Sequence, residues 1–286
     1  ADRADRARHL LPAPRRPRPV RHDPRQIGRR PLPRTQPRVG FCQWRAAALT
    51  MEDLSAHYPL DALALLPKQP HGHLLDLGCG PGWLHPRLIQ HCQKLTAIDL
   101  SAGMLARAAQ ANIASQYLQA DAQRLPLADA SVDNVFSSLM LQWCKEPVAV
   151  FTEVVRVLKP GGTVVMTTLV DGTLGELRQA FAALDNRQHV NHFLPPDALR
   201  QAASKVSGMQ WQFEQRRYPL YYPNVQAIAR ELKTLGANQV AGRQAGGLTG
   251  KGYWQRLAEV YEQHRTVLGL PASYQVVVIS GVKHGN

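Results

Sequence analysis

A short apolar run that closes on three glycines at alternate positions constrains this chain more than any other feature: HLLDLGCGPGW, residues 73–83. The five residues ahead of the glycines, three of them leucine, make a strand. Glycine-rich backbone directly after it turns sharply and admits a ligand to the main chain without side chains in the way. A phosphate loop would continue with Gly-Lys-Ser/Thr, which is absent, and the dinucleotide fingerprint spaces its glycines G-x-G-x-x-G, whereas Gly78, Gly80 and Gly82 run G-x-G-x-G. Asp76 stands two residues ahead of the first glycine. The ligand must therefore suit bare backbone on one side and a carboxylate on the other.

The segments beyond the loop define the sheet it belongs to. Strand-like runs at 73–77, 95–99, 116–119, 132–137 and 162–169 alternate with helix-length segments at 83–92, 101–114, 146–157 and 174–184. That alternation predicts an α/β fold with a mostly parallel sheet and crossover helices on both faces. Lys159-Pro160-Gly161-Gly162 predicts a turn that stops a helix ending at Leu158 and starts the next strand. The last third is less regular: helical pieces near 196–206, 224–236 and 253–268 surround a candidate strand at 210–221, and a β-rich run at 273–282 suits a closing strand. Ahead of the loop, residues 49–66 have a helical tendency interrupted at Pro59.

Charge is distributed unevenly. The chain of 286 residues has a formal charge of +13, but residues 1–40 contain twelve Arg, no Lys and three Asp, and eight of the 21 prolines. Proline at that density blocks helix and sheet, so residues 1–48 are expected to form a disordered Arg/Pro-rich arm, or to be a mistranslated segment, ahead of a single domain over 49–286. Arginines without aromatic residues between them do not make a single-strand nucleic-acid platform, so no nucleic-acid partner is expected. No apolar run reaches the roughly 18 residues of a membrane span. Cys42, Cys79, Cys92 and Cys144 form no Cys-x-x-Cys pair, which suits a reducing, cytoplasmic location.

In an open parallel sheet, ligands sit at the carboxyl ends of the strands. Asp99 ends the second strand, 21 residues after Gly78, with Ser101 as a helix N-cap beyond it. A carboxylate there accepts hydrogen bonds from two vicinal ribose hydroxyls. Asp121 ends the third strand, where it can receive the exocyclic amine of an adenine. The expected ligand therefore has adenine, ribose and a cationic amine near Asp76. S-adenosylmethionine meets all these demands, whereas NAD leaves Asp76 and the glycine spacing unexplained. Leu100, Met104 and Ala122 complete the expected cofactor-binding set.

The stretches LLDLGCGPGW, AIDLSAGML, DAQRLPLADASVDNVFSSL and VLKPGGTVVMTTL resemble the successive motifs of the class I methyltransferases. Within that superfamily, LMLQWC (139–144), TTLVDGTLGELRQAFAALD (167–185), HVNHFLPPDAL (189–199), LKTLGANQ (232–239) and GLTGKGYWQRLAEVY (247–261) are similar to the malonyl-acyl-carrier-protein O-methyltransferases of biotin biosynthesis. The resemblance implies a Rossmann-like, mostly parallel seven-stranded sheet flanked by helices. Substrate-covering segments are expected at about 170–206 and 224–268. It runs from about Leu74 onward. The family's Phe-x-Arg-Ala-Ala-x-x-Tyr lid pattern is matched only by Arg45-Ala46-Ala47, and Tyr58 comes too late to complete it.

The resemblance also implies a reaction: methyl transfer from S-adenosylmethionine to the free carboxylate of a malonyl thioester on acyl-carrier protein. That carboxylate is already ionised at pH 7, so no general base, catalytic triad or metal is expected. His189 and His192 lie three apart without a further ligand to complete a metal set. Candidates for orienting the substrate are Gln142, Trp143, Thr168, His192, Phe193 and Arg243. A strongly acidic carrier calls for a basic surface, with Arg178, Arg187, Arg200, Lys205, Arg216, Arg217, Arg230, Lys233 and Lys251 as candidates. The alternative is a methyltransferase of the same fold acting on another carboxylic acid or a quinone.

Overall fold

The computed structural model describes residues 62–67, 71–185, 187–234 and 250–285. Seven strands form one sheet: β1 (His73–Leu77), β2 (Lys94–Asp99), β3 (Gln116–Gln119), β4 (Val132–Ser138), β5 (Leu158–Leu169), β6 (Met209–Tyr222) and β7 (Leu270–Lys283). Their order is β3-β2-β1-β4-β5-β7-β6. Neighbours from β3 to β5 pair in parallel, while β7 runs antiparallel to both β5 and β6. The order reverses between β1 and β4, which makes their carboxyl ends the crevice where such sheets bind ligands.

The helices keep to the expected alternation: α1 (His85–Leu88), α2 (Ala102–Gln110), α3 (Pro147–Val157), α4 (Gly175–Ala182), α5 (Pro196–Ser204), α6 (Val225–Thr234) and α7 (Lys251–Tyr261). Local chemistry sets their ends. Ser101 accepts the Met104 amide at 3.3 Å and caps α2, as its position predicts. Proline opens α3, where its missing N–H costs nothing. Val150, Phe151, Val154 and Val157 form the buried stripe of α3. They pack with Leu75, Leu77, Val135 and Met166 in the core on one face of the sheet. Leu74, Leu88, Leu95, Phe136 and Val165 form a second core. Alternate residues of β1 thus feed opposite faces. A third core joins α4, α6 and α7 to the first half of β7 and the end of β6, around Leu177, Ile228, Leu257, Tyr261 and Tyr274.

One expectation needs correction. The Lys-Pro-Gly-Gly stretch does not divide helix from strand: α3 stops at Val157, and Leu158 already pairs with Val132. Residues 159–162 form an irregularity within β5, after which Thr163 pairs with Asn134. The Lys159 ammonium holds both Asp133 carboxylate oxygens at 2.9 Å across it. Gly162 fits there because a Cβ would lie 2.8 Å from the carbonyl oxygens of Asp133 and Lys159. The expected arm at 1–48, the lid residues 45–47 and most of the 49–66 helix lie outside the described residues, as does Arg243.

Candidate functional site

The glycine loop leaves β1 at the reversal of strand order. Ser137, fully buried on β4, donates to the Leu77 carbonyl at 2.7 Å and ties the two strands together just before the turn. The amides of Gly78 and Cys79 both donate to the Ile98 carbonyl, at 2.8 and 2.9 Å. The loop is thereby bound to β2. Side chains fill the space beside two of the three glycines: a Cβ on Gly78 would overlap Met140, and one on Gly82 would lie 2.7 Å from His85 Nδ1. Gly80 differs: among the described residues nothing lies within 4 Å of the position its Cβ would take. Its φ is +53°, in the left-handed region that favours glycine.

Asp99 lies where the sequence places it, at the end of β2, and it also shapes the loop. Its Oδ2 accepts the Gly80 amide and its Oδ1 the Ser101 amide, each at 2.8 Å. An ionised carboxylate has about four acceptor sites, so two remain for hydroxyl donors. Asp121 is exposed beyond β3, and its carboxylate is engaged by the Gln123 amide at 2.9 Å and side chain at 3.1 and 3.2 Å. Ala122 beside it is buried. Leu100 is 67% exposed and Met104 39%, leaving apolar surface beside Asp99 of the kind a flat aromatic ring covers. Trp83 and Trp143, which follow β1 and β4 in the chain, are 47% and 59% exposed.

Asp76 departs from its expected surroundings. The sequence suggests a carboxylate reaching a cationic amine through water or backbone, whereas the side chain is buried against His85, with Oδ2 3.2 Å from Nε2. Burial pushes the Asp76 carboxyl up, the imidazole opposes that shift, and the Asp99 charge adds to it. His85 itself is absent from the expected site set. Its spacing carries a signal: with Leu84 and Leu88 it occupies the buried side of α1.

Among the substrate-orienting candidates, Gln142 and Thr168 come together. The buried Thr168 hydroxyl donates to Gln142 Oε1 at 3.0 Å, and Gln142 Nε2 donates to the Leu139 carbonyl at 2.6 Å. The amide thus bridges the exits of β4 and β5. Leu139 sits there at φ +51°, a left-handed conformation that side chains rarely adopt and that clusters at functional sites. His192 and Phe193 lie on the strand-free segment after α4, where Leu194 accepts the Asp171 amide at 3.1 Å just past β5. His192 is exposed and Phe193 half-buried. His189 is held elsewhere, stacked on Phe181 with centroids 4.0 Å apart and 2.8 Å from Asp185. Among the described residues no group of three or more His, Cys, Asp or Glu is placed to hold a metal. Burial pushes the Cys92 and Cys144 thiols up to about 11 and Cys79 higher still, so none of these is a thiolate at neutral pH.

Several arginines expected to form a free basic surface are neutralised. Arg178 pairs with Asp171 at 3.1 Å, Arg216 with Glu214 at 2.8 Å, and Arg217 with Glu176 at 3.2 Å. Arg200 lies over the Phe213 ring, 5.0 Å from its centroid. No helix among the described residues is long and apolar enough to cross a membrane.

Residues 75–166 match a family described as a methyltransferase domain. The chain is 39% identical over 209 residues to the malonyl-[acyl-carrier protein] O-methyltransferase of Hahella chejuensis, covering 72% of this chain and 75% of that one. Over 215 residues it is 37% identical to the enzyme of the same name from Pectobacterium atrosepticum, covering 75% and 83%. It is also 39% identical over 216 residues to the biotin biosynthesis bifunctional protein BioHC of Cellvibrio japonicus, of whose length it spans 43%. In fold it is similar to a putative methyltransferase from Bacillus halodurans, with a TM-score of 0.54 at 15% identity, covering 78% of this chain and 97% of that one.

Proposed function

Because the chain belongs to the malonyl-[acyl-carrier protein] O-methyltransferase family, we propose that it methylates the free carboxylate of a malonyl thioester on acyl-carrier protein, an early step of biotin synthesis. The observation that carries this reading is the identity to those relatives over some three quarters of their length, 75% and 83%. Such a span reaches well past residues 75–166, the part common to methyltransferase domains.

S-adenosylmethionine, when bound, supplies a methyl group on a sulfonium, so that the opposite charges of donor and substrate cancel as the methyl moves. The residues present suit that compound. Gly80 offers main chain with an open side. Asp99 keeps acceptor sites for vicinal hydroxyls beyond the two amides it holds. Leu100 and Met104 offer apolar surface for a purine. Asp76 and Asp121 supply carboxylates on either side, and the cofactor-binding set is Asp76, Gly78, Gly80, Gly82, Asp99, Leu100, Met104, Asp121 and Ala122.

The protein's task is alignment and exclusion of water. A malonyl carboxylate is ionised without help, and holding it in line with the donor can lower the barrier by several kcal/mol, up to about 10. Gln142 and Thr168 fix the wall between the β4 and β5 exits, and Trp143, His192 and Phe193 remain the further candidates for orienting the substrate. In this reading the segments at about 170–206 and 224–268 are the substrate-covering ones, residues 235–249 of the second lying outside the described residues. The acidic carrier docks on cationic surface that has not been consumed by internal ion pairs, which puts Lys205 ahead of Arg216 and Arg217. Purified protein incubated with S-adenosylmethionine and malonyl-carrier protein tests the reading. Mass spectrometry should find a malonyl methyl ester on the carrier. Bound S-adenosylmethionine with no ester formed would overturn the substrate.

A further inference from the structure

Behind the glycine loop, one buried ionisable group has no task in the methyl transfer: the imidazole of His85. It is fully enclosed, and its ring takes the space a side chain at Gly82 would need, Nδ1 and Cε1 lying 2.7 and 2.9 Å from that Cβ position. Its backbone amide donates to the Gly82 carbonyl at 3.1 Å, so ring and main chain are both tied to the loop. Nε2 lies 3.2 Å from Asp76 Oδ2, yet neither ring nitrogen has an aligned hydrogen-bond partner. A buried imidazole without aligned partners is costly unless charge contact or a bound group offsets it.

We propose that His85 is a positioning residue for Asp76, and that the two hold one proton which is released to solvent when the cationic cofactor binds. This rests on the proposed binding of S-adenosylmethionine and adds to it. A desolvated carboxylate takes up a proton unless a cation stands beside it. Here the neighbouring imidazole is the group that can keep Asp76 charged and turned toward the loop. With one shared proton the pair is neutral overall. A ligand bearing an ammonium and a sulfonium supplies that positive charge itself, so it favours the pair without its proton: the N–H bond of His85 breaks, the proton leaves to buffer, and Asp76 stays ionised against the ligand.

The other polar groups facing the pair do not replace the imidazole. Asp99 on β2 adds negative charge. Tyr117 on β3 faces the ring with centroids 5.9 Å apart. The Cys79 thiol is kept protonated by burial and by Asp76 and Asp99. From α2, Ala108 contributes a methyl group to the wall beside Gly82.

The experiment monitors the His85 ring in the whole protein by nitrogen-15 NMR with labelled histidine, across pH, with and without S-adenosylmethionine. The resonance is assigned by its loss in His85→Gln. The expected result is a ring titration midpoint lower by about one pH unit or more with cofactor. Cofactor affinity should rise with pH, by up to about tenfold per pH unit where the one proton is released. If His85→Gln does not fold, the ring is identified as the histidine resonance that shifts in Asp76→Asn, and a spectrum with no shifted ring would overturn the pairing. Cofactor binding with an unmoved ring resonance would overturn the inference and leave the cofactor assignment standing. Failure of S-adenosylmethionine to bind would reject that assignment instead.

Discussion

The carboxylate that ends β2 is clamped to the loop that ends β1: Asp99 Oδ2 accepts the Gly80 amide at 2.8 Å, across nineteen residues of sequence. One acid therefore serves both the main chain of the loop and, by the proposed reading, the ribose. Asp99→Asn keeps the volume but removes the charge from both roles. A hydrogen bond to a charged group contributes about 1.5–3 kcal/mol, so S-adenosylmethionine affinity should fall roughly tenfold to a hundredfold in calorimetry, while circular dichroism stays unchanged.

Two of the loop glycines, Gly82 and Gly80, should respond differently to a methyl group. Gly82→Ala meets His85 and Ala108 and holds φ at +80°. It should lose about 1–3 kcal/mol of stability in urea unfolding. Gly80→Ala meets no atom of the described residues within 4 Å. Its fold cost should be limited to about 1–2 kcal/mol for a left-handed residue, with cofactor binding lost more than stability.

Gln142 is expected to act by holding the walls of the site. Both ends of its amide are used, one on Thr168 and one on Leu139. Gln142→Ala should therefore lower the turnover of malonyl-carrier protein about tenfold or more, and leave cofactor affinity within about twofold. Equal losses in both measurements would place Gln142 on the cofactor instead.

The tie between α4 and β7 makes stability depend on acid. Burial alone would push Glu176 up, but hydrogen bonds from Ser273 and the charge of Arg217 outweigh it and hold the carboxyl below its usual value. A depressed carboxyl contributes stability above the unfolded-state pKa of about 4.3 and loses it as pH falls through the lower folded value. Glu176→Gln should therefore cost about 1–2 kcal/mol at neutral pH. In urea titrations the gap to the parent protein should close as the pH drops below about 4.

Much of the fold was legible in the sequence, because short apolar runs bounded by turn residues mark buried parallel strands well: β1 and β3 match their expected bounds, and β2 and β4 differ by one residue at one end. Misreading of β5 has a physical source. Pro160 and Gly161 argue for a break, yet strand pairing resumes on both sides of the irregularity because Leu158 and Thr163 both find partners on β4. The ion pairs among the basic residues are not legible for another reason: Arg217 finds Glu176, forty-one residues away, and nothing local in the chain announces such a pair. The strand-end acids were visible as a series. Their actual neighbours were not, so Asp76 was read without its imidazole.

The reversed strand β7 separates β5 from β6, pairing with residues 163–169 on one side and 209–222 on the other. During synthesis, β5 and β6 emerge long before the strand that joins them. Until residues 270–283 leave the ribosome, both expose open ladders of main-chain donors and acceptors, which other chains can pair with. A nascent chain stalled before that point should engage holding chaperones, and release them only when the missing strand slides between its two neighbours.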